Sequence, residues 1–188
     1  LSAGIALDEV LGAVLDRLGA ILPCDGAAIW LLQDDALCLS AVLGADKNVC
    51  IDNSRAGGNE WLRRALAADK PLVRSSSDPT EPLGTTLGMA DDYSAIAAPL
   101  RAGDRLLGLL TLVHHRPNRY GPESRAMTAA FASYAAVAIE NTRLYQRAQE
   151  QAYISTVLLE VAEATQSLTT LEEVLETVPE VVVPVAIA

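Results

Sequence analysis

The sequence predicts an α+β fold: antiparallel hairpins with a helix at each end. Three observations carry it. Two pairs of apolar runs, at 27–44 and 94–114, are each joined by a tight turn signal. Residues 7–22 place apolar side chains at helical spacing. Between Pro122 and Pro179 there is neither proline nor glycine, which leaves room for a long helix.

The elements follow in chain order. LDEVLGAVLDRLGAIL (7–22) puts Leu7, Leu11, Val14, Leu18 and Ile21 on one helical face, and Pro23 stops it. AAIWLLQ (27–33) reads as a buried strand, with LCLSAVLG (37–44) as its hairpin partner. Residues 45–58 are loop-like. NEWLRRALAA (59–68) is a short helix, and PLVRS a short strand opened by Pro71. The stretch 75–92, SSSDPTEPLGTTLGMADD, is rich in turn formers, and a loop of that length in a compact domain is usually functional. Strands 94–101 and 105–114 flank Ala102-Gly103-Asp104, where glycine suits a tight hairpin. Gly121-Pro122-Glu123 is a favourable helix entry, with proline at the first helical position and an acid in the first turn.

A helix from about 122 to about 167 would be ~68 Å long, more than a domain of this size needs. Its first half is apolar enough to pack on a sheet; its second half mixes polar and apolar positions. The expectation is a helix that continues past the domain and pairs with a copy of itself in a parallel homodimer through residues ~130–165. A bend near 149–153 is the alternative. Asn141 and Gln151 interrupt a clean heptad, so the pairing reads as weak or switchable.

The chain also resembles itself. SAGIALDEVL (2–11) lines up with QSLTTLEEVL (166–175), and Thr170 with Glu173 forms a capping-box pattern. The expected organisation is one domain over 1–148, the long helix over 122–167, and at 168–188 the opening helix and strand of a truncated second copy. The chain opens on Leu1, so a fragment of a longer protein is expected.

Composition bounds the function. Half the residues (51%) are hydrophobic and 20% charged, so a sizeable core is expected. Net charge is −10, and no basic residue follows Arg147, which argues against nucleic acid and anionic membrane as partners. No apolar run approaches the roughly 20 residues of a membrane span, and no signal peptide is visible. Cys24, Cys38 and Cys50 show no metal-type spacing and read as buried free thiols of a cytoplasmic protein.

With the element order established, the chain resembles a GAF domain, a small-molecule sensor module of signalling proteins. The residues that carry the likeness are LDEVLGAVLDRLGAILPCDGAAIWLLQDD, then SAIAAPLRAGDRLLGLLTLVH, then AAVAIENTRLYQRA, covering roughly 5–148. The most specific part is the proline in one strand, the glycine turn, and leucine-glycine inside the next. The resemblance implies a six-stranded antiparallel sheet, with terminal helices on one face and a ligand pocket on the other. Strand alternation separates Ala95, Ala97 and Pro99 from Ile96, Ala98 and Leu100. By resemblance the candidate ligand-binding residues are Ala28, Trp30, Met89, Tyr93, Ala95, Ala97, Leu109, Thr111 and Val113. Small side chains there leave volume for a guest, while Trp30, Met89 and Tyr93 are the ones able to fill it. Pro99 requires a bulged or edge-like strand, and Gly108 a close backbone approach.

No catalytic residue and no metal ligand is expected. In phytochromes a double histidine like His114-His115 follows the same strand, but the loop before it here holds neither cysteine nor histidine, against covalent bilin attachment. The histidine of haem-binding relatives is missing as well, so a tetrapyrrole sensor is the weaker alternative. Free methionine sulfoxide reductases of this family need loop cysteines and an acidic strand residue; here no cysteine lies in 51–188 and Ala95 replaces the acid. The cyclic-nucleotide motif is absent, since Phe131 is the only phenylalanine. His114 and His115 read as strand-end residues, Asp34-Asp35 and Asp91-Asp92 as solvated pairs, and Arg63-Arg64 as exposed. The leading function is a non-catalytic ligand-sensing regulatory domain of a signal-transduction protein, its ligand unnamed. The alternative is a dimerising spacer without a ligand.

Overall fold

The structure, a computed structural model, describes residues 2–33, 36–44, 60–80, 82–87, 91 and 94–176. Element order is α1 (Ser2–Ile21), β1 (Gly26–Gln33), β2 (Ala36–Leu43), α2 (Glu60–Ala67), β3 (Leu72–Arg74), α3 (Leu83–Thr86), β4 (Ser94–Ala102), β5 (Arg105–His114) and α4 (Pro122–Glu176). The strands form one antiparallel sheet in the order β2-β1-β5-β4-β3. Five strands stand where the resemblance implied six; a sixth is not among the described residues.

Apolar alternation places one set of side chains on each face of this sheet. Ala27, Ile29 and Leu31 of β1, Ile96, Ala98 and Leu100 of β4, and Leu110 and Leu112 of β5 pack against α1 and the first turns of α4. From α1 come Leu11, Val14, Leu15 and Leu18; from α4 come Ala132, Ala135, Ala136 and Ile139. Alanines on α4 let the helix lie close to the strands. Ile21, expected on the buried face, is 53% exposed, and Leu15 and Leu22 are buried instead. At 3.6 residues per turn Ile21 falls about 80° around the helix from Leu11, at the edge of the stripe, whereas Leu15 and Leu22 fall within about 40° of it.

The turns are as the residues require. Gly103 and Asp104 close a two-residue hairpin, with Ala102 opposite Arg105 and Gly103 at φ 59°. Gly108 sits opposite Leu31 and Leu100, and a β-carbon there would lie 1.9 Å from the Trp30 carbonyl oxygen. β3 pairs only with Ala95–Ala97, so β4 is an edge strand at Pro99, and its ladder shifts register between Leu100 and Arg101. Both features answer the missing amide of proline.

Two compact units divide the chain, Leu1–Arg143 and Leu144–Ala188. α4 runs unbroken past 149–153 and past its expected end at 167, so no separate helix starts at 168. With no proline or glycine in the way, a capping-box pattern alone does not interrupt a helix. The strand expected after 176 falls outside the described residues. Cys24 and Cys38 are free and half-buried rather than buried, and Cys50 lies outside the described residues.

Candidate functional site

The second face of the sheet collects the residues singled out above. Ala28 and Trp30 from β1, Ala95 and Ala97 from β4, and Leu109 and Val113 from β5 form one buried cluster, with Thr111 equally buried. Met89 and Tyr93 lie outside the described residues. What strand alternation did not reveal is the cover. α2 lays Trp61, Leu62 and Ala65 over this face, and Leu83 and Leu87 come from α3 and its end. The spacing Trp61, Leu62, Ala65 is a short amphipathic stripe and was the available signal.

Trp30 is fully buried and is the largest side chain that the sheet itself contributes to this face. Its indole Nε1–H donates to Thr111 Oγ1 at 2.9 Å, and the Thr111 hydroxyl donates onward to the Ala28 carbonyl at 3.3 Å. Ala28 and Thr111 are direct partners in the β1–β5 ladder. The hydroxyl therefore satisfies an aromatic donor that apolar surroundings would otherwise leave exposed to a desolvation cost.

A polar turn stands between β3 and α3. Asp78 Oδ1 accepts from the Thr80 amide at 3.1 Å and from Thr80 Oγ1 at 2.7 Å. Arg74, buried on β3, donates through Nη2 to the Thr80 carbonyl at 3.0 Å, and Arg64 Nη1 of α2 lies 3.6 Å from Asp78 Oδ2. Burial works against ionisation of Asp78, but the two Thr80 donors and the Arg64 and Arg74 guanidiniums outweigh it and hold the carboxyl below its usual range. Arg63 pairs with Glu60 in an exposed position. The expected exposed arginines are thus exposed, and Arg64 also ties α2 to the 75–80 turn.

His114 and His115 part company in burial: His114 is buried, His115 exposed. Both face Asp25, whose carboxylate accepts from the His115 amide at 2.5 Å. Spacing along the chain could not pair Asp25 with residue 115; the ladder Gly26–Val113 does.

On the opposite, helical side, Arg17, Ala20 and Ile21 of α1 and Ala130, Phe131 and Tyr134 of α4 line an open groove of about 530 Å³. Among the described residues, none singled out as ligand-binding borders it.

Comparison with known proteins places this architecture. The family model described as GAF domain matches residues 5–140. Regulatory protein LuxO of Vibrio cholerae serotype O1 (strain ATCC 39541 / Classical Ogawa 395 / O395) is 26% identical over 165 residues, 85% of this chain and 31% of LuxO, so the chain spans about a third of that relative. A type II free methionine-R-sulfoxide reductase from Thermoplasma acidophilum superposes with a TM-score of 0.62 at 17% identity, covering 74% of this chain and 96% of its own. A domain of a two-component sensor histidine kinase protein from Sinorhizobium meliloti 1021 superposes with a TM-score of 0.59 at 22% identity, covering 75% and 96%. At such identities the two structures speak for the fold alone. The matched span, the antiparallel sheet and the terminal helices together lead to one conclusion: the chain belongs to the GAF domain family.

Proposed function

We propose that this chain is a non-catalytic sensing module of a larger signal-transduction protein. A small molecule engages the sheet face of Ala28, Trp30, Ala95, Ala97, Leu109, Thr111 and Val113, with Met89 and Tyr93 contributing from the adjoining loop. Its presence changes the state of α4, which pairs with a second copy. One observation carries the reading: this face is roofed by two short helices, α2 of eight residues and α3 of four, rather than by a full helical layer. Short elements with few contacts open at lower free energy than a central sheet. A guest that displaces Trp61, Leu62, Leu83 and Leu87 would bind the open state alone, and such differential binding is what shifts an equilibrium.

Coupling to the helix has a physical route within the first unit. Arg105, at the start of β5, forms an ion pair with Glu140 of α4. Ala132, Ala135, Ala136 and Ile139 rest on the reverse side of the same strands. A change in sheet curvature is therefore felt by α4.

A reductase role like that of the Thermoplasma protein is not favoured, because residues 51–188 contain no cysteine. The spacer reading rests on a different observation. Trp30, a side chain of the sheet itself, already occupies the face and is hydrogen-bonded there. Native mass spectrometry and absorption of the freshly purified chain separate the two. A retained small-molecule mass supports sensing, with a visible band if the guest is a tetrapyrrole. A clean apo mass, together with α2 amides as slow to exchange as those of β1 and β5, would leave the spacer role. Membrane insertion is not part of the reading: among the described residues no helix is long and apolar enough to cross a bilayer.

A further inference from the structure

Three ligand-type side chains meet where β5 ends. Asp25 lies just before β1, and its amide donates to the Val113 carbonyl at 2.9 Å, which fixes it beside the last residue of β5. Successive residues of a regular strand point to opposite faces. Here the strand ends at His114, and the two imidazoles stack, with centroids 4.7 Å apart and planes at 29°. Both turn Nδ1 toward one carboxylate oxygen. His115 Nδ1 is 2.6 Å and His114 Nδ1 3.6 Å from Asp25 Oδ2. One ligand atom from each residue lies within 4.8 Å of the other two.

We propose that Asp25, His114 and His115 form a binding site for one divalent transition-metal ion of the zinc class, with a coordination position left open to solvent. Two imidazole nitrogens and one carboxylate oxygen are a donor set suited to Zn²⁺, Ni²⁺ and Co²⁺. Ca²⁺ and Mg²⁺ want a larger shell of oxygens and are poor matches. Bonds of about 2.0–2.2 Å in a tetrahedral shell place ligand atoms roughly 3.3 Å apart. The observed 2.6 and 3.6 Å bracket that separation. Entry of the ion needs a shift of a fraction of an ångström in His115, which is exposed and free to make it.

Of the two Nδ1 atoms one already offers a lone pair; the other, that of His115, lies 2.6 Å from the Asp25 carboxylate as a hydrogen-bond donor and gives up its proton when the ion binds. His114 Nδ1 accepts a hydrogen bond from the Arg116 amide at 3.0 Å, so that nitrogen presents a lone pair. Metal binding requires neutral imidazole and ionised carboxylate. The ion must displace the Arg116 amide and the His115 proton, so the site is exchangeable rather than a permanent structural one.

None of the three ligands belongs to the roofed cluster, so the site does not depend on the reading of that face. It joins the entry of β1 to the exit of β5, and the segment 115–121 leads directly into α4 at Pro122. An ion there would stiffen the connection that α4 inherits.

The test uses the whole chain, stripped with EDTA and titrated with Zn²⁺ alone against a chromophoric chelator. One ion per chain is expected. Asp25→Ala and His115→Ala should each weaken binding by about tenfold or more, while Asp16→Asn, on α1, leaves it unchanged. The chain contains two histidines, so an imidazole ¹H–¹⁵N spectrum of the unmutated protein reads both directly. Zn²⁺ should shift the Nδ1 resonances of both rings. Failure to bind stoichiometrically, affinity unchanged in both variants, or a response from neither ring or from His115 alone would overturn the proposal.

Discussion

The indole of Trp30 donates to the hydroxyl of Thr111 across the β1–β5 pair, 2.9 Å apart and wholly buried. The bond ties the largest side chain of the candidate face to the centre of the sheet. Thr111→Val keeps the shape and removes the acceptor, leaving an indole N–H without its partner. We expect a loss of about 1–3 kcal/mol in urea unfolding. Trp30→Phe removes the donor and some volume. In the double variant the two losses should add to less than their sum, because the orphaned donor is gone. Full stability of Thr111→Val would mean the bond carries no weight.

Two glycines of the β4–β5 hairpin, Gly103 in its turn and Gly108 inside β5, make a paired prediction. At Gly103 the obstacle is conformational: φ is 59° and a β-carbon would meet nothing within 4 Å. Gly103→Ala should cost about 1–2 kcal/mol. At Gly108 the obstacle is the backbone of β1, since a β-carbon would lie 1.9 Å from the Trp30 carbonyl oxygen. Gly108→Ala should cost about 3 kcal/mol or more, and should broaden or shift Trp30 fluorescence, which Gly103→Ala should not. Equal costs at the two positions would contradict this distinction.

What could be read from residue order alone divides along a physical line. Period-two alternation sorted Ala95 and Ala97 from Ile96 and Ala98, and the two sets do occupy different clusters. Turn chemistry located Gly103, and the missing proline amide made β4 edge-like at Pro99. These are local effects, and local sequence reports them. The stripe Trp61, Leu62, Ala65 marks a buried helix side, but which surface it and Leu83 cover was not legible, because tertiary packing alone decides it. Nor was the Asp25–His115 pair: those residues are joined by strand pairing, not by chain proximity. Ile21 misled for a related reason. It sits at the edge of the helical stripe, where spacing alone does not tell a covered position from an open one.

Acidification should weaken the first unit through Asp78. Its folded value lies below that of an unfolded aspartate, so the stability it contributes is fully present above about pH 4. That contribution is lost as pH falls through the lower folded value, where Thr80, Arg64 and Arg74 can no longer be served by a carboxylate. Asp78→Asn should therefore lower the melting temperature at pH 7, and the variant and the unmutated chain should converge as pH falls through the folded value. Asp25 is depressed as well, so both proteins will lose stability in acid. The measurement is the gap between the two curves. A gap independent of pH would remove Asp78 as its cause.

The second unit supplies the last prediction. From Leu144 the helix presents Leu144 at 52% exposure, Leu158 at 63% and Ile154 at 56%. A single helix with large apolar side chains in water has nothing of its own to bury them in. Leu144, Gln151 and Leu158 recur every seven residues, with Ala148 and Ser155 as small residues between, which is the pattern of a helix-pairing seam interrupted by one amide. Sedimentation of the chain should show a monomer–dimer equilibrium. Leu144→Glu with Leu158→Glu should abolish it while leaving the melting of residues 1–143 in place. Gln151→Leu should tighten it by about tenfold or more, since burying a leucine is worth about 1.5–3 kcal/mol. If Gln151→Leu leaves the equilibrium unmoved, this stripe is not the seam. If the unmutated chain stays monomeric at every concentration, α4 does not pair with its own copy, and any relay through it must run to a different partner.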